Sequence, residues 1–518
     1  MDNNVNNNNA EIRAFETYSD TTGWGFYNRF TIGMLCMSAL VNSLSYVALP
    51  MALAVSNCNM LTVPISMVLK IFTSFFLGRS IGGLITSSIC DRYGRKKYMI
   101  YGLICMFMSL FTMSFAYSGY VINTAVIFLG VGVESTSITA KLLVAEMLPK
   151  NRRGLYIVLY DFFWILGYII TTSLVILLET SVLIAMTKDP DSLATWRIIL
   201  AICGGFNLVI ACACALLEES PRYILHSGRT YLAYLILKQV YAINNSCYAD
   251  YYKVREESLR NLVKGYDLTY SEPADTLEML KRLCCRTWNA VKMLFSKKYR
   301  CITLILICIK TPIIIMGFFH LNAVCSKILT ANSLGVSPKT LTGTNFLYPI
   351  YHEMSLNESN ITEPNMCAVN EESELYYRYF LLLTGAMLPG VVFSLVLIEI
   401  LGRKPILSVC SLVSNICFLI LCYLNLEELN LVWYSVILGC SVAIFSTISV
   451  VNIESYPTAI RATAQGVTSF FGHFLCMFVF NFIMVEPSIL FLIMGVASFG
   501  SFIGTFFLPE LKSTPMAE

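Results

Sequence analysis

Long apolar runs, separated by short polar or charged clusters, recur along the chain. They begin near Phe30, Leu61, Tyr98, Val121, Leu155 and Trp196, and again near Arg300, Tyr377, Pro405, Leu431, Gly466 and Ile489. A polar stretch from Glu218 to Tyr299 separates the two sets. A helix crossing a hydrocarbon core ~30 Å thick needs about 20 apolar residues. The pattern therefore predicts an all-α polytopic membrane protein with twelve transmembrane helices in two six-helix bundles. Gly82-Gly83, Pro312 and Pro389 fall inside runs, as is common in membrane helices. The expected divisions are a disordered tail over 1–24, a bundle over 25–217 and a central loop with short helices over 218–298. A second bundle follows over 299–512, with a large outer loop at 323–374, and then a tail over 513–518. Within the central loop, helix-like stretches run from Tyr251 to Lys264 and from Thr276 to Ser296.

Composition sharpens this picture. Hydrophobic residues make up 56% of the 518 residues and charged residues 13%, against about 25% charged in soluble domains. Mean hydropathy is +0.65. The net charge of +3 provides no basic field for nucleic acid. Most of the 19 cysteines lie inside apolar runs, where Cys acts as a small hydrophobe. The four histidines are scattered at 226, 320, 352 and 473, with no zinc spacing, Walker sequence, HExxH or GxSxG. Neither an enzyme nor a metal or cofactor is expected. The Asn-rich start lacks an apolar core, so no cleavable leader is expected.

Charge in the short loops sets the orientation. Arg92, Arg95, Lys96 and Lys97 follow the second run, and Lys150, Arg152 and Arg153 follow the fourth. Arg403-Lys404 and Arg461 hold the equivalent places in the second half. The loops after runs one, three, nine and eleven carry no Lys or Arg. Both termini and the central loop are thus expected in the cytosol, with the plasma membrane as location. The loop after the seventh run then lies outside. It is acidic and carries the glycosylation acceptors Asn357 and Asn360, while Cys325 and Cys367 within it either pair or stay free. Asn244-Asn-Ser matches the same pattern on the cytosolic side, where no glycan is expected.

After the second run comes GGLITSSICDRYGRKK, with Asp91, Arg92, Gly94, Arg95 and Lys96 in a D-R-x-G-R-K pattern. Six runs later the pattern returns as Glu399, Gly402, Arg403 and Lys404. This loop resembles the signature of the major facilitator superfamily, with Ser87 in place of the usual Gly, and its duplication marks a transporter repeat. Glu146-Met-Leu-Pro149 leading to Arg153-Gly154, and Glu219-Ser-Pro-Arg222, resemble elements of sugar and organic-ion porters. Glu454-Ser-Tyr-Pro-Thr458 with Arg461, and Leu508-Pro-Glu-Leu-Lys512, are similar to elements of the organic cation/anion/carnitine transporter family. The chain departs from that family in its short linker after the first run and its large loop after the seventh. The resemblance implies alternating access, in which charged pairs between the bundles hold one side closed. It places Asp91 near the start of the eleventh helix. Arg95 with Glu146, and Arg403 with Glu454, are expected partners within each half.

Ionisable groups at helix centres cost about 2.5–3.5 kcal/mol each on insertion scales, so each raises a functional question. Lys70, Glu134, Lys141, Asp161, Lys310 and His473 stand inside runs. Glu134 and Lys141 are about 10.5 Å apart along one helix, too far for a direct pair. Glu134, Asp161, Lys310 and His473 are the candidates for a substrate cavity. By resemblance Asp161 faces that cavity, and His473 stands where relatives carry Asp or Arg. Aromatics such as Phe162, Phe163, Trp164, Phe318 and Phe319 are available to flank it. Asp161 and His473 are expected to set charge preference together, and Asp161→Asn to remove cation or zwitterion transport with little loss of folded protein. The expected partners are a small organic solute, the lipid bilayer and, as an open point, a coupling proton or ion. Three functions remain in view: a secondary transporter of organic cations, anions or zwitterions; a proton-coupled sugar or organic-acid symporter; and a non-transporting sensor or scaffold with the same fold.

Overall fold

The structure is a computed structural model that describes residues 18–56, 65–148, 152–180, 195–263, 276–334, 371–423, 429–479 and 487–511. Asn357, Asn360 and Cys367 lie outside the described residues, whereas both ends of the loop expected at 323–374 are helical, over 323–334 and 371–374. The first six long helices are α1 (Phe26–Ser56), α2 (Ile65–Tyr93), α3 (Arg95–Ser114), α4 (Gly119–Met147), α5 (Arg153–Thr180) and α6 (Thr195–Cys214). Short helices follow: α7 (Pro221–His226), α8 (Thr230–Asn245), α9 (Glu256–Val263) and α10 (Thr276–Leu294). The second set is α11 (Arg300–Leu334), α12 (Glu371–Gly385), α13 (Met387–Leu397), α14 (Arg403–Tyr423), α15 (Asn430–Ser455), α16 (Arg461–Val479) and α17 (Pro487–Phe506). The break between α12 and α13 has a local cause. Pro389 has no N–H to offer the Gly385 carbonyl four residues back.

Nine helical stretches among the described residues are long and apolar enough to cross a membrane. Lipid replaces water around them, so their outward side chains stay apolar: Met108, Phe128, Val209, Val396, Val409 and Val496 are all exposed. α2 and α16 fall outside that group. They carry Arg79, Asp91 and Arg92, and Arg461, Gln465 and His473. The same two helices pack against each other along the junction of the two sets. Their polarity is turned inward, toward the junction.

α1 packs on α5 and α6, and α4 on α2 and α3; in the second set α14 packs on α15 and α17, and α11 on α16. A second junction brings α5 against α12 and α13. Close crossings need small residues. At Gly466 on α16 an added Cβ would run into Ser87 and Gly83 of α2. Ser87, the odd residue of the signature, is tolerated because glycine faces it.

Two expectations change. The unstructured tail does not extend to residue 24: Tyr18–Gly25 is clasped by the central helices. Asn244 Nδ2 donates to the Gly23 carbonyl (3.1 Å), Tyr27 N donates to Asn244 Oδ1 (3.1 Å), and Tyr252 Oη donates to the Tyr18 carbonyl (2.9 Å). Asn244, the acceptor of the central-loop sequon, therefore has its amide committed to the fold. The central loop also holds a helix not read from the sequence, α8. It joins α7 and α9 in a separate small core of Tyr223, Ile236, Leu237, Val240, Tyr252 and Leu259. Its apolar face is one stripe among polar residues, which a search for long apolar runs passes over.

Candidate functional site

At the end of the bundle that carries Arg95 and Arg403, two charged clusters repeat each other. α2 ends at Gly94, whose φ of 112° is a conformation that favours glycine. The Glu219 carboxylate accepts from Arg95 N (3.0 Å) and Lys96 N (3.2 Å), and so caps the positive end of α3. Burial pushes the Glu219 carboxyl above its ordinary range, and the N–H groups of Ser220, Lys96 and Arg95 pull it back. Asp91 reaches across to the second set. It accepts from Ala462 N (3.3 Å), Thr463 N (3.0 Å) and Thr463 Oγ1 (3.0 Å) at the start of α16. Arg95 is buried between Asp91 (3.4 Å), Glu146 (3.2 Å) and the Thr458 carbonyl (3.1 Å). Arg461 donates to the same Glu146 oxygen at 3.2 Å. Glu146 thus holds one arginine from each set.

The second cluster follows the same plan. Gly402 has φ 95°, and Glu510 accepts from Arg403 N (3.1 Å) and Lys404 N (3.0 Å). Glu399 crosses to the first set and accepts from Leu155 N at the start of α5 (3.2 Å). Arg403 pairs with Glu399 (3.2 Å) and Glu454 (3.0 Å). Arg153 Nε donates to the Ala145 carbonyl and Arg461 Nε to the Tyr456 carbonyl, both at 3.1 Å. Arg92 stands apart from these pairs, its guanidinium lying over the Tyr93 ring at 4.9 Å. In each cluster a carboxylate from one set sits at the N-terminus of a helix from the other. Both ends of that contact are polar, so it can exchange for water when the sets separate.

Deeper between the sets lies a cavity of about 100 Å³. Arg79, Asp161 and His473 line it, with Tyr46, Trp164, Tyr168, His320 and Phe445 among its walls. Asp161 pairs with Lys141 at 2.7 Å, and Lys141 also donates to Ser449 across the junction (3.2 Å). Of the four cavity candidates, Asp161 and His473 are among the residues that line it. Glu134 and Lys310 are not among the lining residues. Glu134 is drawn behind Arg79 (2.7 Å) and His473 (3.1 Å), and Lys310 is turned to Ser469 (2.6 Å). Glu134 is paired with charged neighbours and Lys310 is held by the neutral oxygens of Gln465, Thr468 and Ser469. Lys70 is exposed on α2. Trp164 joins the lining, whereas Phe162, Phe163 and Phe319 are partly buried against the core; the Phe318 side chain lies outside the described residues.

Arg79 is the residue the sequence reading missed. Its signal was present, a lone arginine within the second apolar run. Its guanidinium donates twice to Glu134 and lies over the Tyr46 ring at 5.2 Å. It gives the cavity a fixed cation beside the His473 imidazole, with Asp161 also on the lining and its partner Lys141 outside the lining residues. Such a cavity can meet either sign of charge on a solute while presenting flat aromatic surface to its body.

Comparison with known proteins places this architecture. The chain is similar to organic cation/carnitine transporter 7 of Arabidopsis thaliana, at 25% identity over 405 residues, covering 77% of this chain and 73% of the relative. It is 20% identical to human synaptic vesicle glycoprotein 2B over 538 residues, with 88% of this chain and 78% of the relative covered. A solved proton:xylose symporter bound to 6-bromo-6-deoxy-D-glucose shares the fold with a TM-score of 0.65 at 14% identity, covering 95% of this chain and 98% of that one. The family model described as Major Facilitator Superfamily matches residues 31–480. Helices from both duplicated clusters fall inside that match, and the chain belongs to the Major Facilitator Superfamily.

Proposed function

We propose that this multi-pass membrane transporter moves small organic ions or zwitterions by alternating access, from a plasma membrane with both termini in the cytosol. The observation that carries the reading is the cavity between the two sets, where Arg79, Asp161 and His473 meet aromatic walls. The duplicated clusters supply its gate. The contacts of Asp91 with the start of α16 and of Glu399 with the start of α5 bridge the sets, so breaking them lets the halves rock about the cavity. Resemblance to the organic cation/carnitine transporter supports the same substrate class. The test is an uptake screen in expressing cells with labelled cations, anions, zwitterions and sugars. Saturable uptake of a charged class is expected. Uptake of sugars alone would replace the reading, and binding without flux would favour a sensor.

One observation favours proton-coupled symport as a second reading. Glu134 is shared by Arg79 and His473, so a proton arriving on it would loosen both at once. Uptake that collapses when the pH gradient is dissipated at clamped potential would select it. Orientation has its own test. The loop that carries Asn357 and Asn360 is expected outside, and a glycosidase should shift the protein on a gel when it is made in animal cells. An epitope in that loop reached only after permeabilisation would reverse the topology.

A further inference from the structure

His320 on α11 is 1% exposed and lines the central cavity, yet neither of its ring nitrogens has a hydrogen-bond partner. Phe380 stacks on its ring at 4.9 Å, and Tyr168 and Tyr434 flank it at 6.1 and 6.4 Å. Its surroundings differ from those of His473, which is held by Glu134. A neutral imidazole has one donor and one acceptor. Leaving both unmet in a buried site is unfavourable, and such groups call for an explanation. The rings in contact with His320 carry no charge, so a neutral hydroxyl suits the position better than a carboxylate or an ammonium. A hydroxyl both donates and accepts, and so matches either tautomer. Tyr46, Trp164, Tyr168 and Phe445 on the same cavity present flat faces that accept a ring by stacking.

We propose that His320 determines the specificity of this cavity by hydrogen-bonding a hydroxyl on an aromatic solute, whose ring lies among those faces. The inference rests on the reading of the cavity as the transport site. A solute lacking the hydroxyl leaves the imidazole orphaned, and sites built around a hydrogen bond reject such analogues strongly.

The test measures binding to the purified full-length protein in nanodiscs with three matched pairs. These are phenethylamine and tyramine, 3-phenylpropionate and 3-(4-hydroxyphenyl)propionate, and phenylalanine and tyrosine. Each pair differs by one ring hydroxyl, and together they cover three charge states. In at least one pair the hydroxylated member should bind about tenfold or more tightly. His320→Phe should reduce that ratio to about one, and His320→Gln should keep part of it. Without ligand, His320→Phe should melt no lower than the wild type, because a ring replaces an orphaned polar group. A ratio near one in the wild type, a ratio that survives His320→Phe, or a lower melting point for that variant would each overturn the proposal. If none of the six binds while another solute is taken up, the inference fails and the transport reading stands. If nothing is bound or taken up, both fail.

Discussion

Glu146→Gln is expected to abolish most transport while leaving inserted protein at the membrane. Glu146 accepts from Arg95 of its own set and Arg461 of the other through one oxygen, with all three side chains buried. Removing one partner of a buried pair typically costs about 3–5 kcal/mol, because the remaining charge is left without an answer. Here the loss falls on the closed arrangement, since separated sets would expose Arg461 to water. A bias of about 3 kcal/mol shifts a two-state population by roughly a hundredfold. Uptake should fall at least about tenfold, and the amides of Ala462 and Thr463, which donate to Asp91, should exchange hydrogen faster. Wild-type uptake with unchanged exchange at those amides would refute the gate. Because α16 begins at Arg461, its first turn reports directly on whether the sets are joined.

Asp161→Asn is the second large effect, and the structure adds a folding cost to it. Read from sequence, the substitution removes cation or zwitterion transport with little loss of folded protein. The 2.7 Å pair with Lys141 says otherwise. An asparagine leaves Lys141 buried without a counter-charge, held by Ser449 and the faces of Phe445 (4.5 Å) and Tyr160 (5.7 Å). Destabilisation on the order of 3–5 kcal/mol follows. Replacing both partners by apolar residues of similar volume is often neutral for stability. Lys141→Met with Asp161→Leu should therefore restore the melting temperature and surface level lost in Asp161→Asn, yet transport no charged solute. Equal stability of Asp161→Asn and wild type would show that the pair does not hold the two helices. Charged-solute uptake by the double variant would remove Asp161 from the binding wall.

The apolar run lengths, and the duplicated loop after the second helix of each set, were enough to read the helix order. Both are local properties: a helix must carry about 20 apolar residues to cross lipid, wherever its neighbours lie. The same reading found Asp91, Glu146, Arg403 and Glu454, because a charge cluster at a helix end is visible in one dimension. It passed over α8, whose apolar residues form only a stripe, and Arg79, which sits alone within an apolar run. Partner choice at the helix ends was read by resemblance, but around the cavity it was not legible. Glu134 meets His473 across 339 residues of chain and Lys141 meets Ser449 across 308, and nothing in the local sequence records which group faces which. That decision belongs to packing. The interior has a low dielectric, so each buried charge must find a counterpart in space, and only the three-dimensional arrangement shows which groups were answered there. His320 was left with neither nitrogen paired.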